Sequence, residues 1–202
     1  LPLAVGITSE GEYADFELTR KIEPAHFMEK LNASLPEAIR VTAAAEKFSG
    51  TNIMASVCCA DYEIEIYLAQ EYALDEIKRA IELLLARDSI KVMKEVKTKG
   101  GRHKSGKDKG GAGDGESGGR TLKETEIRPL IHNAEVEPAR NIPDGYKEFK
   151  SAFVIRARFS AGSAANLRPD TFIGVLKGQG EIPIEAFRIH RKAIYTEING
   201  KM

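Results

Sequence analysis

The chain has 202 residues, 42% of them hydrophobic, which is enough apolar material for one sizeable core or two small ones. No run approaches the roughly 18–20 apolar residues of a membrane span, and no charged segment leading into an apolar stretch resembles a signal peptide, so a cytoplasmic protein without membrane association is expected. Thirty basic and thirty acidic residues cancel, but unevenly: residues 1–96 hold 10 Lys/Arg against 17 Asp/Glu, and the remainder holds 20 against 13. Such asymmetry points either to a polyanionic partner for the basic half or to two solvated surfaces of opposite sign.

In chain order, Leu3, Val5 and Ile7 read as a strand that hairpins through the turn residues Thr8 to Gly11 onto residues 12–18, where Ala14, Phe16 and Leu18 alternate with Tyr13, Asp15 and Glu17. Pro24 opens a helix carrying Phe27, Leu31 and Leu35, and Pro36 ends it. A strand over residues 39–45 follows, and residues 46–60 stay open between a short helix and an extended crossover. Tyr62, Ile64, Ile66 and Leu68 alternate with Glu63, Glu65 and Tyr67 as a strand with one wet face. Leu74, Ile77, Ile81, Leu84 and Leu85 then mark one face of an amphipathic helix with Asp75 near its start. Residues 90–96 predict another strand.

Residues 97–120 contain nine glycines and six Lys/Arg before Gly119, so they are expected to form a disordered basic loop. Strands are predicted over 124–131, 149–159 and 187–198, with a helix opening at Arg168-Pro169 and ending at Gly178. From residue 61 this order is the split βαβ arrangement of a ferredoxin-like fold. Residues 1–48 would be the same unit without its first strand and helix. The preferred architecture is therefore α+β, with tandem ferredoxin-like units built on antiparallel sheets: a truncated unit over 1–48, a connection over 49–60, and a second unit over 61–202. A competing count runs βαββαβ from residue 12 to 96.

The glycine-rich loop has neither the Walker pattern nor a GxGxxG between strand and helix, so it is not a nucleotide cradle. As a mobile basic arm, through Arg102, Lys104 and Lys107, it suits contacts to a nucleic-acid backbone. His26, His103, His132 and His190 have no metal-site spacing, and no nucleophile elbow is present, so neither a metal nor a catalytic group is assigned. Cys58 and Cys59 are adjacent, a spacing that strains a mutual disulfide, and buried thiols are expected. Alternation puts Arg156 and Arg158 on one strand face and Arg188, His190 and Lys192 on another. If those strands neighbour each other, five cationic groups line one sheet face that could hold RNA. The plainer alternative is the solvated side of an antiparallel sheet, and the matching positions lack the aromatics of an RNA-recognition motif.

The blocks LPLAVGITSEGEYADFEL (Leu1 to Leu18), LNASLP (Leu31 to Pro36), ADYEIEI (Ala60 to Ile66), EIRPLI (Glu126 to Ile131), NLRP (Asn166 to Pro169) and RIHRKAIY (Arg188 to Tyr195) together resemble a family of uncharacterised proteins encoded beside radical SAM enzymes or fused to their C-termini. The resemblance implies an upstream segment absent from this chain, consistent with the truncated first unit. It offers no catalytic residues to carry over. It implies an accessory or substrate-recognition role beside a radical SAM enzyme, with RNA or protein as the bound partner. The chain lacks a CxxxCxxC cluster motif of its own, and no cofactor is expected. Three functions follow as expectations: a non-catalytic RNA-holding module, a docking domain for the radical SAM partner that binds no nucleic acid, or an RNA-processing enzyme using His190, the last on fold analogy alone.

Overall fold

The structure, a computed structural model, describes residues 3–47, 52–97 and 120–196. Its elements are β1 (Ile7–Ser9), α1 (Pro24–Ser34), the single turn α2 (Ile53–Ser56), β2 (Val57–Leu68), α3 (Leu74–Leu85), β3 (Lys91–Lys97), β4 (Arg120–Glu126), β5 (Ile131–Pro138), β6 (Ser151–Ser160), α4 (Pro169–Gly178) and β7 (Ala186–Thr196). This is a mixed α+β protein with two sheets and mostly antiparallel pairing. Five strands lie in the order β1-β7-β2-β6-β5, and β3 and β4 form a separate hairpin. Only β1, at the edge, runs parallel to its neighbour β7. Within the order β7-β2-β6-β5, α3 follows β2 and α4 joins β6 to β7.

Alternation in β2 sends Ala60, Tyr62, Ile64, Ile66 and Leu68 into the core, where they meet Phe153, Ile155, Ala157 and Phe159 of β6. The helices close the same face: Ile77, Ile81 and Leu84 from α3, and Phe172, Ile173, Val175 and Leu176 from α4. Helix α3 starts where the Glu76 carboxylate accepts the Ala73 N–H at 2.8 Å, satisfying one of the donors a helix start leaves open. Helix α4 starts at Pro169 and ends against Gly180, where a Cβ would sit 2.8 Å from the Leu176 carbonyl oxygen. The next residue, Glu181, has a φ of 56°, a left-handed conformation that disfavours any side chain. Glu181→Gly is therefore expected to stabilise the protein by about 0.5–1 kcal/mol in urea unfolding, strain relief exceeding the entropy cost of glycine.

The N-terminal quarter departs from expectation. Residues 12–18 form no strand, Val5 is fully exposed, and residues 39–45 are irregular, so the hairpin, helix and strand expected over 1–48 reduce to β1 and α1. None of residues 3–47 is buried. The apolar alternation there has no layer to pack against, and three residues of β1 join the edge of the main sheet instead. A second correction concerns the run 124–131: Pro129 lies in a 3-10 turn, Arg128–Leu130, that splits it into β4 and β5. Of the stretch left open over 46–60, residues 53–60 form the turn α2 and the first residues of β2, and 48–51 lie outside the described residues.

Among the described residues no helix is long and apolar enough to cross a membrane. The expected basic loop, with Arg102, His103, Lys104 and Lys107, lies outside the described residues; its flanks are the paired ends Lys97 and Arg120 of the β3–β4 hairpin.

Candidate functional site

The five cationic residues of β6 and β7 do not form one basic surface. Strand β2 lies between β6 and β7 and places Asp61 opposite Arg158, Glu63 opposite both Arg156 and His190, and Glu65 opposite Arg188. The condition for a single basic face, that the two strands be neighbours, is thus not met: β2 lies between them, and its acidic row separates the two basic rows. Side chains directly opposite on one face are close enough to pair, and here opposite charges meet.

The tightest contact is between Arg158 and Asp61, a two-bonded fork with Nε to Oδ1 at 2.6 Å and Nη2 to Oδ2 at 2.9 Å. The Tyr195 hydroxyl donates to the same Oδ2 at 2.7 Å, and the Arg158 guanidinium lies 4.5 Å from the centre of the Tyr195 ring. The Arg158 hydrogen bonds hold the Asp61 carboxyl below its ordinary range against the opposing effect of burial, and Asp61 in turn raises Arg158 and Tyr195.

Further along, Arg156 contacts Glu137 of β5 at 2.8 Å and Glu63 at 3.7 Å, and Arg188 contacts Glu65 at 3.2 Å. Tyr67 donates its hydroxyl to Glu65 at 2.5 Å and stacks on Tyr146 with ring centres 4.2 Å apart. Burial, then that bond to Glu65, pushes the Tyr67 hydroxyl up to about 12.

The seam with the N-terminal segment repeats the pattern. Lys192 pairs with Glu10, which is lowered by that bond, and His190 lies 2.8 Å from the Thr8 hydroxyl through Nδ1 and 3.7 Å from Glu10 through Nε2. Arg191, which sequence reasoning passed over, is buried and pairs with Glu12. A register shift in the β2–β7 pairing sets Arg191 opposite Tyr62 and Ala193 opposite Asp61, leaving Lys192 as the extra residue. Asp15 completes the seam, accepting the Ile53 N–H at 2.8 Å and Lys47 at 2.7 Å, which together lower it.

Each of Arg156, Arg158, Arg188 and Lys192 therefore already has a carboxylate partner. A phosphate backbone approaching this face would have to displace them. The aromatic rings on it are also engaged, Tyr67 beneath Tyr146 and Tyr195 beneath Arg158, so neither offers an open platform for a base.

The remaining candidates are dispersed. His26 lies 3.4 Å from Glu29 on α1, and His132 lies 3.0 Å from the Ser160 hydroxyl. Among the described residues no group of three or more His, Cys, Asp or Glu could hold a metal ion.

A different surface feature lies in the N-terminal segment. Among the described residues, five of the nine exposed large hydrophobic ones, Val5, Tyr13, Phe16, Leu18 and Ile39, belong to residues 3–47. Leu18, Ile22, Phe27 and Leu31 line a groove of about 330 Å³ on α1, with Arg20 and Lys30 on its walls. The Phe16 and Phe27 rings meet at 5.5 Å between centres. The period of Phe27 and Leu31 announces an apolar helix face; that this face stays open is visible only in three dimensions.

A family model described as "Uncharacterized protein conserved in bacteria" (DUF2344) matches residues 1–108. That segment holds β1, α1, α2, β2, α3 and β3, whereas β6 and β7, which flank β2, lie beyond it. No curated protein and no solved structure matches the chain.

Proposed function

The chain belongs to DUF2344, a family of uncharacterized proteins conserved in bacteria, and from that premise we propose that it is a non-catalytic docking module that engages a partner protein through residues 3–47. We read residues 57–196 as one ferredoxin-like unit with the β3–β4 hairpin inserted, and residues 3–47 as an arm attached along β7. The observation that carries the choice of docking over RNA binding is the charge pairing of the sheet face, where each of Arg156, Arg158, Arg188 and Lys192 contacts a carboxylate. Affinity for a polyanion comes from cations that release counterions, and a face neutralised by its own acids gains little that way.

The α1 groove supports the same reading. Its apolar floor and its flanking Arg20 and Lys30 suit an amphipathic helix with an acidic margin, the helix-in-groove mode. The partner class follows from the sequence resemblance: a radical SAM enzyme, for which this chain would be the accessory subunit.

The test is co-purification of the chain with a radical SAM enzyme of the same genome after nuclease treatment, beside an RNA mobility shift at low salt. The expected result is a nuclease-resistant complex, at least tenfold weaker for Leu18→Glu, with unchanged thermal unfolding because Leu18 is exposed. A salt-dependent RNA shift, lost on neutralising Arg156, Arg158, Arg188 and Lys192, would instead establish the RNA-holding reading and defeat this one.

A further inference from the structure

Adjacent residues of a regular strand point to opposite faces, so neighbouring cysteines on a strand keep their sulfurs apart. Cys58 and Cys59 break that rule, with Sγ atoms 3.7 Å from each other. The cause is a register shift in the β2–β7 pairing. Val57 pairs with Thr196 and Cys59 with Tyr195, so two steps along β2 match one step along β7, and Cys58 is the extra residue of a bulge. The bulge is held on its other side as well. The Ala161 N–H donates to the Cys58 carbonyl at 2.9 Å, and a Cβ on Gly162 would lie 2.5 Å from the Val57 carbonyl oxygen, so only glycine allows this approach.

We propose that Cys58 and Cys59 are a redox-active dithiol, oxidised to a mutual disulfide by low-molecular-weight disulfides. The two thiols have different parts. Cys58 is half-buried and can be reached from solvent, whereas Cys59 is 1% exposed. Burial, and then the neighbouring Cys58, push the Cys59 thiol up to about 11, so it is a poor first nucleophile. The Cys58 thiolate attacks one sulfur of the incoming disulfide, its S–S bond breaks, and one thiolate leaves. The Cys59 thiol then loses its proton and attacks Cys58 Sγ, expelling the second thiolate. In sum, two protons and two electrons pass from the cysteine pair to the small disulfide, which leaves as two thiols.

The product would be easily reversed. Neighbouring Cα atoms are about 3.8 Å apart, below the roughly 4.4–6.8 Å of relaxed disulfides, and strained bridges are the readily reduced ones. This makes the pair a reversible switch and unsuits it as a staple.

The test is incubation of the full chain with oxidised glutathione, acid quenching, alkylation with iodoacetamide and intact mass measurement. Wild type is expected to lose both alkylatable thiols while retaining no glutathione, and dithiothreitol is expected to restore both. Cys59→Ser is expected to trap glutathione on Cys58, and Cys58→Ser to remain unmodified. A stable glutathione adduct on wild type, a disulfide-linked dimer, or two thiols still alkylatable would each overturn the proposal. The wild-type measurement decides this even if a serine variant fails to fold.

Discussion

Replacing Phe159 by alanine is expected to cost about 3–5 kcal/mol of stability, the largest single-residue effect anticipated here. Phe159 is fully buried in β6 and lies between two other rings, Tyr62 of β2 at 5.7 Å and Phe172 of α4 at 5.0 Å. The three rings tie the central strands to the helix layer, so truncation leaves a cavity bounded by a strand pair that cannot close in and a helix whose start is set by Pro169. Urea unfolding followed by far-ultraviolet circular dichroism measures the loss. A change below about 1 kcal/mol would mean that α4 does not pack against β6 in this way.

Removing the Asp61 carboxylate is expected to be the next most costly change, at about 1–2 kcal/mol for Asp61→Ala. The carboxylate accepts both arms of Arg158 and the Tyr195 hydroxyl, so its loss strands three donors at once. The figure stays modest because Arg158 and Asp61 are both partly open to water, which screens the charge interaction. A double-mutant cycle with Arg158→Met should show a coupling of about 1 kcal/mol, and no coupling would remove the pair as a stabilising element.

The same pair sets a pH dependence. Arg158 lowers the native Asp61 carboxyl below its unfolded value. Its contribution is therefore complete above the unfolded value, about 3.9, and disappears as pH falls through the lower native one. The stability difference between wild type and Asp61→Asn should be constant from neutral pH to about 5 and shrink below about 4. A difference that instead shrinks between pH 6 and 8 would assign the effect to some other group.

Much of the molecule is legible from local pattern. The spacing of Ile77, Ile81 and Leu84 identifies α3, and the Arg168-Pro169 start with Phe172, Val175 and Leu176 identifies α4, because a helix face that packs must repeat at the helical period. Strict alternation likewise reveals β2, β6 and β7. Alternation misleads where nothing covers it. Leu3, Val5 and Ile7, and the run from Tyr13 to Leu18, carry a strand's pattern, yet Val5, Tyr13, Phe16 and Leu18 are exposed, since a period of two does not guarantee a second layer. The bulge at Cys58 was equally hidden, because it arises from a mismatch in step between two strands.

The acidic stretch SEGEYADFEL shows the division most clearly. Its composition announces carboxylates near a turn, and the Ser9 hydroxyl does accept the Gly11 N–H at 3.2 Å. That Glu10 meets Lys192 and His190, and that Glu12 meets Arg191, depends on β1 lying beside β7.

By itself, the sequence determined which faces are apolar, where helices begin, and that acid and base are segregated between the two parts of the chain. Only the tertiary structure decided that acid and base meet on the face of the main sheet. A side chain's face follows from local period, but its neighbour follows from strand order, and strand order depends on contacts between residues far apart in the chain. Inserting β2 between β6 and β7 placed Asp61, Glu63 and Glu65 among Arg156, Arg158 and Arg188, and turned two basic rows into a neutral, self-paired surface.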